Sequence, residues 1–256
     1  MRIEPKGILF LVIILVEICI VTFVVLRIRK TVIKYRAKRR EYIEPYFALR
    51  LAFSENLVSP IGEFIANDIW LFYSVLSFPF RKKSKEEGKI FTYHKQSFYP
   101  TVFAMVLALM IFEGIAVHLI LLFTLPSRLW WVYVIVLMLN IYAITWWLGD
   151  YINISRRPHL VRENNLLLRL GIRFSTIIEY PNISLIQPTE QAPPKRKKRA
   201  KDTLFLSLKD MCNVYIELRS PIEFHSFLGS DSGIGRIFLY FDKPQEFIEE
   251  IVKRID

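Results

Sequence analysis

Few side chains in this sequence are spaced for chemistry. The four histidines, His94, His118, His159 and His225, are scattered. None falls in the HxxxH or HExxH spacing that sets two imidazoles on one helical face for a metal ion. Gly229-Ser230-Asp231-Ser232-Gly233 has the outline of a nucleophile elbow, but aspartate stands at the centre, where a serine hydroxyl is required. The stretch 229–235 therefore reads as a flexible turn before a last strand. The sequence contains no P-loop and no dinucleotide fingerprint. Cys19 and Cys212 form no CxxC pair, and two lone thiols suit a reducing compartment. The expectation is a protein that is not an enzyme, with no catalytic, metal or cofactor-binding residue.

Polar residues within apolar runs are the first feature above this background. Glu17 lies at the midpoint of one run, Glu113 near that of a second, and Asn140 close to the middle of a third. His118 follows Glu113 by five positions, about 7.5 Å at the helical rise. Carboxyls at membrane depth are costly when charged, so they must be protonated, paired or wet. Glu17, Glu113 and Asn140 are expected to meet at one level, with a proton shared between the two carboxyls. Such a cluster serves either as hydrogen-bonding glue between helices or subunits, or as a proton or small-ligand site.

The second feature is basic charge. Thirty-five Lys and Arg against 24 Asp and Glu give a net charge of +11. Clustering beside apolar segments points to anionic lipid headgroups. Pro193-Pro194 precede Lys195, Arg196, Lys197, Lys198, Arg199 and Lys201, a loop composition that cannot bury a core. With Arg36, Lys38, Arg39 and Arg40, these residues are the expected contacts to anionic lipid, at about 1 kcal/mol per basic group near the surface. The bland alternative is a solvated loop. Nucleic acid is not expected, because no aromatic residues are interleaved to stack bases.

The elements that position these residues are membrane helices and strands. The composition is 53% apolar with a mean hydropathy of +0.30, which suits a chain divided between lipid and water. Ile8 to Leu26, Thr101 to Thr124 and Leu129 to Leu148 are each long enough to cross a hydrocarbon core of about 30 Å. Leu125-Pro126-Ser127-Arg128 joins the last two as a tight hairpin. Trp130, Trp131, Trp146 and Trp147 sit at the two ends of the third run, where amphipathic rings favour the interface. Eight Lys and Arg lie between Arg27 and Arg40, against Arg2 and Lys6 before the first run. The positive-inside rule then puts the N-terminus outside and residue 27 onward in the cytoplasm. A cleaved signal peptide fits less well, because the first run ends in arginine and lysine rather than small residues.

Between these parts, residues 41–100 read as a cytoplasmic or interfacial helical region, with helices from about Tyr42 to Leu76 bounded by Pro45, Pro60 and Pro79. The run Ile69 to Phe80 is short for a span. From Pro158 the pattern turns to alternation, as in Leu204-Phe205-Leu206, Val214-Tyr215-Ile216 and Ile237-Phe238-Leu239. About seven short strands of this kind suggest a small sandwich or barrel. The chain ends in a helix with Asp242 as its N-cap and a stripe of Phe247, Ile248, Ile251, Val252 and Ile255 that must cover something apolar. The organisation is thus 1–40, a first transmembrane helix with a basic juxtamembrane extension; 41–100, helical; 101–150, a transmembrane hairpin; and 158–256, a β domain.

Val161-Arg162-Glu163-Asn164-Asn165-Leu166-Leu167-Leu168-Arg169-Leu170-Gly171, directly after a two-span hairpin, resembles the bacterial PH-like domains of small membrane proteins. Tyr180-Pro181-Asn182-Ile183 and Asp242-Lys243-Pro244-Gln245-Glu246-Phe247 are similar too. The resemblance covers about 101–256. It implies a PH-like seven-stranded barrel capped by the C-terminal helix in a membrane setting, and no chemistry; with the spans read from the apolar runs, the expected fold is three transmembrane helices and that barrel. On this reading the protein is a membrane-anchored module that recruits a membrane or cytoplasmic protein partner at the inner leaflet. The alternative is an oligomeric transport or ion-conducting component built on Glu17, Glu113 and His118, with self-association as its requirement.

Overall fold

The structure, a computed structural model, describes residues 5–41, 45–57, 59–80, 88–192, 202–208, 211–227 and 229–255. Six α-helices and eight strands are present among them. The chain divides into two compact units, residues 1–67 and 68–256.

The first unit is helical. α1 (Pro5–Glu41) is unbroken for 37 residues, and α2 (Pro45–Ser54) and the start of α3 (Ser59–Ser77) follow it. Pro45 and Pro60 stand in the first turns of their helices, where a missing N–H removes no hydrogen bond. Polar contacts fix the turn between α2 and α3 to α1. Asn56 donates to the Arg27 carbonyl at 3.0 Å and to Thr31 Oγ1 at 2.6 Å, while Arg27 Nη1 returns a bond to the Asn56 carbonyl at 2.6 Å. Lys34 and Lys38 both pair with Glu55, at 3.2 and 3.1 Å. Between α2 and α3, Arg50 and Glu63 form a buried ion pair at 2.7 Å.

The second unit carries two helices long and apolar enough to cross a membrane, α4 (Tyr99–Thr124) and α5 (Trp130–Arg156). They cover the second and third apolar runs of the sequence. Gly114 lets them approach closely, since a Cβ there would stand 2.7 Å from the Asn140 amide. Near the far end, Tyr133 donates to the carbonyls of Leu121 and Leu125.

The β domain departs from the expected seven-stranded barrel. Eight strands form one open sheet in the order β1-β2-β3-β4-β7-β8-β6, with β5 on the free half of β7. They are β1 (Lys89–Phe91), β2 (His159–Val161), β3 (Asn165–Leu170), β4 (Phe174–Glu179), β5 (Ile183–Gln191), β6 (Thr203–Leu206), β7 (Cys212–Ser226) and β8 (Gly229–Leu239). β1 comes from the stretch read as helical, and it pairs antiparallel with β2. β7 pairs with β4 through Ser226 and His225 but with β5 through Cys212 to Leu218. Register shifts after Glu217 separate these two halves. The sheet thereby folds into two wings, as bulged strands do. β6 runs parallel to β8, an arrangement that local alternation does not encode.

A hydrophobic core lies between the wings, including Phe91, Leu166, Leu168, Val214, Ile216, Ile237 and Leu239, and a smaller cluster of Tyr93, Tyr99 and Ile154 lies apart from it. α6 (Pro244–Ile255) covers it with Phe247 and Ile251, and the Phe247 ring stacks on Phe241 at 3.8 Å. Two expectations need correction here. Gly229–Gly235 belongs to β8 rather than to a turn before it, because its backbone pairs with the end of β7. Asp242 does not cap α6; its carboxylate accepts the backbone N–H groups of Lys95 and Gln96, just before α4.

Candidate functional site

A buried polar constellation lies where the base of the α4–α5 hairpin meets the β domain. Asp150, in the last two turns of α5, is fully buried at 0% exposure. The Tyr99 hydroxyl donates to its Oδ2 at 2.5 Å, and Arg173 donates from Nε to Oδ1 at 3.1 Å and from Nη2 to Oδ2. Arg173 stands in the tight turn between β3 and β4, which Gly171 makes with φ of +56°, a conformation that favours glycine. A planar guanidinium matches both oxygens of a carboxylate, so this contact fixes direction as well as distance.

A second bolt lies beside it. The Gly171 N–H donates to the Tyr93 hydroxyl at 2.9 Å, and that hydroxyl faces the carbonyls of Ile154 and Arg157 at 3.2 and 3.3 Å. The first is in the last turn of α5, whose carbonyls have no partner within the helix, and the second belongs to Arg157, the residue that caps it. Burial pushes the Tyr93 hydroxyl well above the ordinary phenol range. His159 packs between Tyr93 and Phe241, with ring centres at 4.7 and 4.8 Å. Its Nδ1 accepts the Arg169 N–H at 3.0 Å, so the proton sits on Nε2. Burial, with Arg169 adding to it, lowers its pKa to about 3 and keeps the ring neutral. Asp242 makes the third bolt through Lys95 and Gln96.

A surface site lies on the outer face of the second wing. Gln187, Tyr215, Phe238 and Phe205 are direct cross-strand neighbours on β5, β7, β8 and β6. Phe205 and Phe238 stack at 4.7 Å and Tyr215 tilts against Phe238 at 4.8 Å. Beside this row, Arg236 forms a two-pronged ion pair with Asp202, at 2.8 and 2.9 Å. Gln187, Thr189, Tyr215, Arg236 and Phe238 line a shallow open groove of about 290 Å³.

No protein-family model matches this chain, and no curated protein and no solved structure matches it.

The residues singled out from the sequence are placed as follows. Asn140 reaches across to α4, 3.4 Å from the Met110 carbonyl. His118 Nδ1 lies 2.8 Å from the Gly114 carbonyl, and its Nε2 is buried without a hydrogen-bond partner among the described residues. Glu113 is exposed on α4 and makes no hydrogen bond with Asn140 or His118. Glu17 is exposed on α1. Of the basic set, Lys38 is paired to Glu55, and Arg36, Arg39 and Arg40 are exposed. Lys195, Arg196, Lys197, Lys198, Arg199 and Lys201 lie outside the described residues. Among those residues, no group of His, Cys, Asp or Glu is arranged to hold a metal ion.

Sequence reasoning passed over Asp150, Tyr99, Tyr93 and Arg173. A signal for the first was present: Asp150 is the one acid following the Trp146-Trp147-Leu148-Gly149 end of the run. An acid there needs a cation, and the arginine two places after the turn glycine is the one that folding supplies.

Proposed function

We propose that this protein is a non-catalytic membrane module that holds its β domain at the cytoplasmic face and recruits or assembles a protein partner there. The run Ile8–Leu26 in α1 adds a third span to α4 and α5, with the N-terminus outside. The observation that carries the reading is the buried Asp150–Arg173–Tyr99 joint, reinforced by the Tyr93 and Asp242 contacts. A flexible tether would suffice to keep a domain near a membrane. A rigid joint is useful when a particular surface must face a particular way, and the Gln187–Tyr215–Phe238–Phe205 row is a surface suited to a peptide partner. The two-winged sheet under a C-terminal helix is in keeping with a PH-like relationship. The exposed basic face of α1 and the 195–201 cations add attraction to anionic lipid.

The test is crosslinking and affinity purification of the full-length protein from its native membrane, beside a variant with Gln187→Lys and Thr189→Lys in the groove. A stoichiometric partner captured by the wild type and lost from the equally stable variant is expected. Equal capture by both, or no partner at all, refutes the recruiting role.

A second reading, an oligomeric proton- or ion-conducting component, draws on exposed Glu113 and the partnerless Nε2 of His118. It requires flux in reconstituted vesicles that is lost in Glu113→Gln.

A further inference from the structure

The second half of α3, residues 68–77, turns an apolar stripe outward and places hydrogen-bonding groups inward. Towards α5 it presents hydrogen-bonding groups. Trp70 Nε1 donates to Asn153 Oδ1 at 2.7 Å, Asn153 Nδ2 donates to Ser74 Oγ at 3.0 Å, and Asp68 Oδ2 accepts the Tyr142 hydroxyl at 2.8 Å. Away from α5 it presents Ile69, Tyr73 and Leu76, which are 44%, 49% and 72% exposed. These stand at i, i+4 and i+7, one face of the helix. A helix in water carries its polar residues on the outer face and its apolar stripe inward. Here the outward face is apolar, while the inward face mixes these hydrogen-bonding groups with buried Leu71 and the Trp70 ring.

Its contacts also give its depth. Asp68 and Phe72 lie beside Tyr142, Leu71 beside Gly149, Trp70 and Ser74 at Asn153, and Phe78 at Arg156. The half-helix therefore runs parallel to the end of α5. Tyr142 precedes Asp150 by eight residues, about 12 Å at the helical rise, and precedes Trp146 by about 6 Å. The Asp68 end is thus deeper than the tryptophan pair, level with the exposed apolar surface of Met138, Leu139 and Ile141 on α5. At the other end the Arg156 guanidinium lies 4.2 Å over the Phe78 ring, where a cation meets headgroups.

We infer that residues 68–77 are seated in the inner leaflet, with the Ile69–Tyr73–Leu76 face against phospholipid acyl chains and the Asp68 carboxylate held by the Tyr142 hydroxyl. The occupant is lipid rather than a protein, because the face lies level with Met138, Leu139 and Ile141 of α5, exposed apolar residues that meet acyl chains in the proposed membrane setting. The chain then has a half-embedded helix beside its hairpin, and the β domain sits tight under the bilayer. This rests on the membrane setting proposed above.

The test uses the purified full-length protein in vesicles of phosphatidylethanolamine and phosphatidylglycerol containing a lipid with a photoactivatable acyl chain. Adducts are expected on Ile69, Tyr73 and Leu76 as well as on α4 and α5. Adducts on α4 and α5 with none on 68–80 overturn the inference and leave the membrane setting intact. Adducts on none of them overturn both. In the same vesicles, opened to expose both faces, Tyr73→Cys should react with an impermeant maleimide at least about tenfold more slowly than Lys95→Cys, because a thiol in apolar surroundings stays protonated. Detergent should abolish the difference. Equal rates in intact membranes overturn the inference, and the wild type supplies the background from Cys19 and Cys212.

Discussion

Replacing Arg173 with alanine should loosen the β domain from the hairpin. In the native protein two N–H groups of Arg173 meet a carboxylate that is entirely shielded from water. Removing the cation leaves Asp150 with the Tyr99 hydroxyl alone. Breaking a fully buried pair in this way costs about 3–5 kcal/mol. The Arg173 side chain is 38% exposed, so water can enter the vacated space, and the expected loss is about 2–4 kcal/mol. For a chain of this size that is a fall of roughly 5–15 °C in Tm. Arg173→Lys keeps the charge but not the fork, and should cost less, about 1–2 kcal/mol. Tyr99→Phe removes one bond to the same carboxylate without changing the packing, at about 1.5–3 kcal/mol. The assay is thermal unfolding of the full-length protein in detergent, read as a double-mutant cycle with Asp150→Asn. Because the amide in that variant carries no charge to strand, Arg173→Ala should be markedly milder in its background. Arg173→Ala within about 0.5 kcal/mol of wild type, or equally costly with Asp150→Asn, would overturn this explanation of the joint.

Two further outcomes follow from packing and from histidine burial. Gly149→Ala should destabilise by about 1–3 kcal/mol, because its Cβ would stand 2.8 Å from the Leu71 carbonyl of α3, a backbone atom that cannot swing aside. Gly114→Ala meets the movable Asn140 side chain instead, so it should cost less and be relieved by Asn140→Ala; thermal scans of the three variants decide this. His159, with a folded pKa of about 3 against an ordinary 6.5, stays neutral in the fold while the unfolded chain takes up a proton. Its contribution is therefore present above pH 6.5 and is lost as the pH falls from there towards 3, at up to about 1.4 kcal/mol per unit. His94, lowered by burial as well, acts in the same direction. Unfolding between pH 7 and 5 should show this slope, and it should be shallower in His159→Gln.

The elements of this fold are legible in the sequence where the signal is local. The two apolar runs at 101–124 and 129–148 become α4 and α5, and the stripe of Phe247 and Ile251 becomes the buried face of α6. Alternation around Tyr215 and Phe238 places them outward, because their neighbours Val214, Ile216, Ile237 and Leu239 fill the core. What the sequence hides is set by pairing at long range. Three residues, Lys89–Phe91, are too few to show a period, and they become a strand only because β2 offers an edge. The row from Gln187 to Phe205 depends on the register of four strands, one of them parallel, and periodicity carries no register. Asp242 stands three places before Gln245 as a helix cap would, yet the turn before α4 claims its carboxylate. Asp150 and Arg173 are 23 residues apart, and only the turn at Gly171 brings them together.

The proposed role depends most on the β domain being bolted to the hairpin rather than tethered. Pulsed electron-spin distance spectroscopy in lipid vesicles distinguishes the two. Spin labels are placed at Arg128 on the hairpin tip and Lys253 on α6, with Cys19 and Cys212 replaced. A bolted domain gives one narrow distance distribution in the otherwise native protein, broadened by Arg173→Ala. A broad distribution that Arg173→Ala leaves unchanged would contradict the rigid joint.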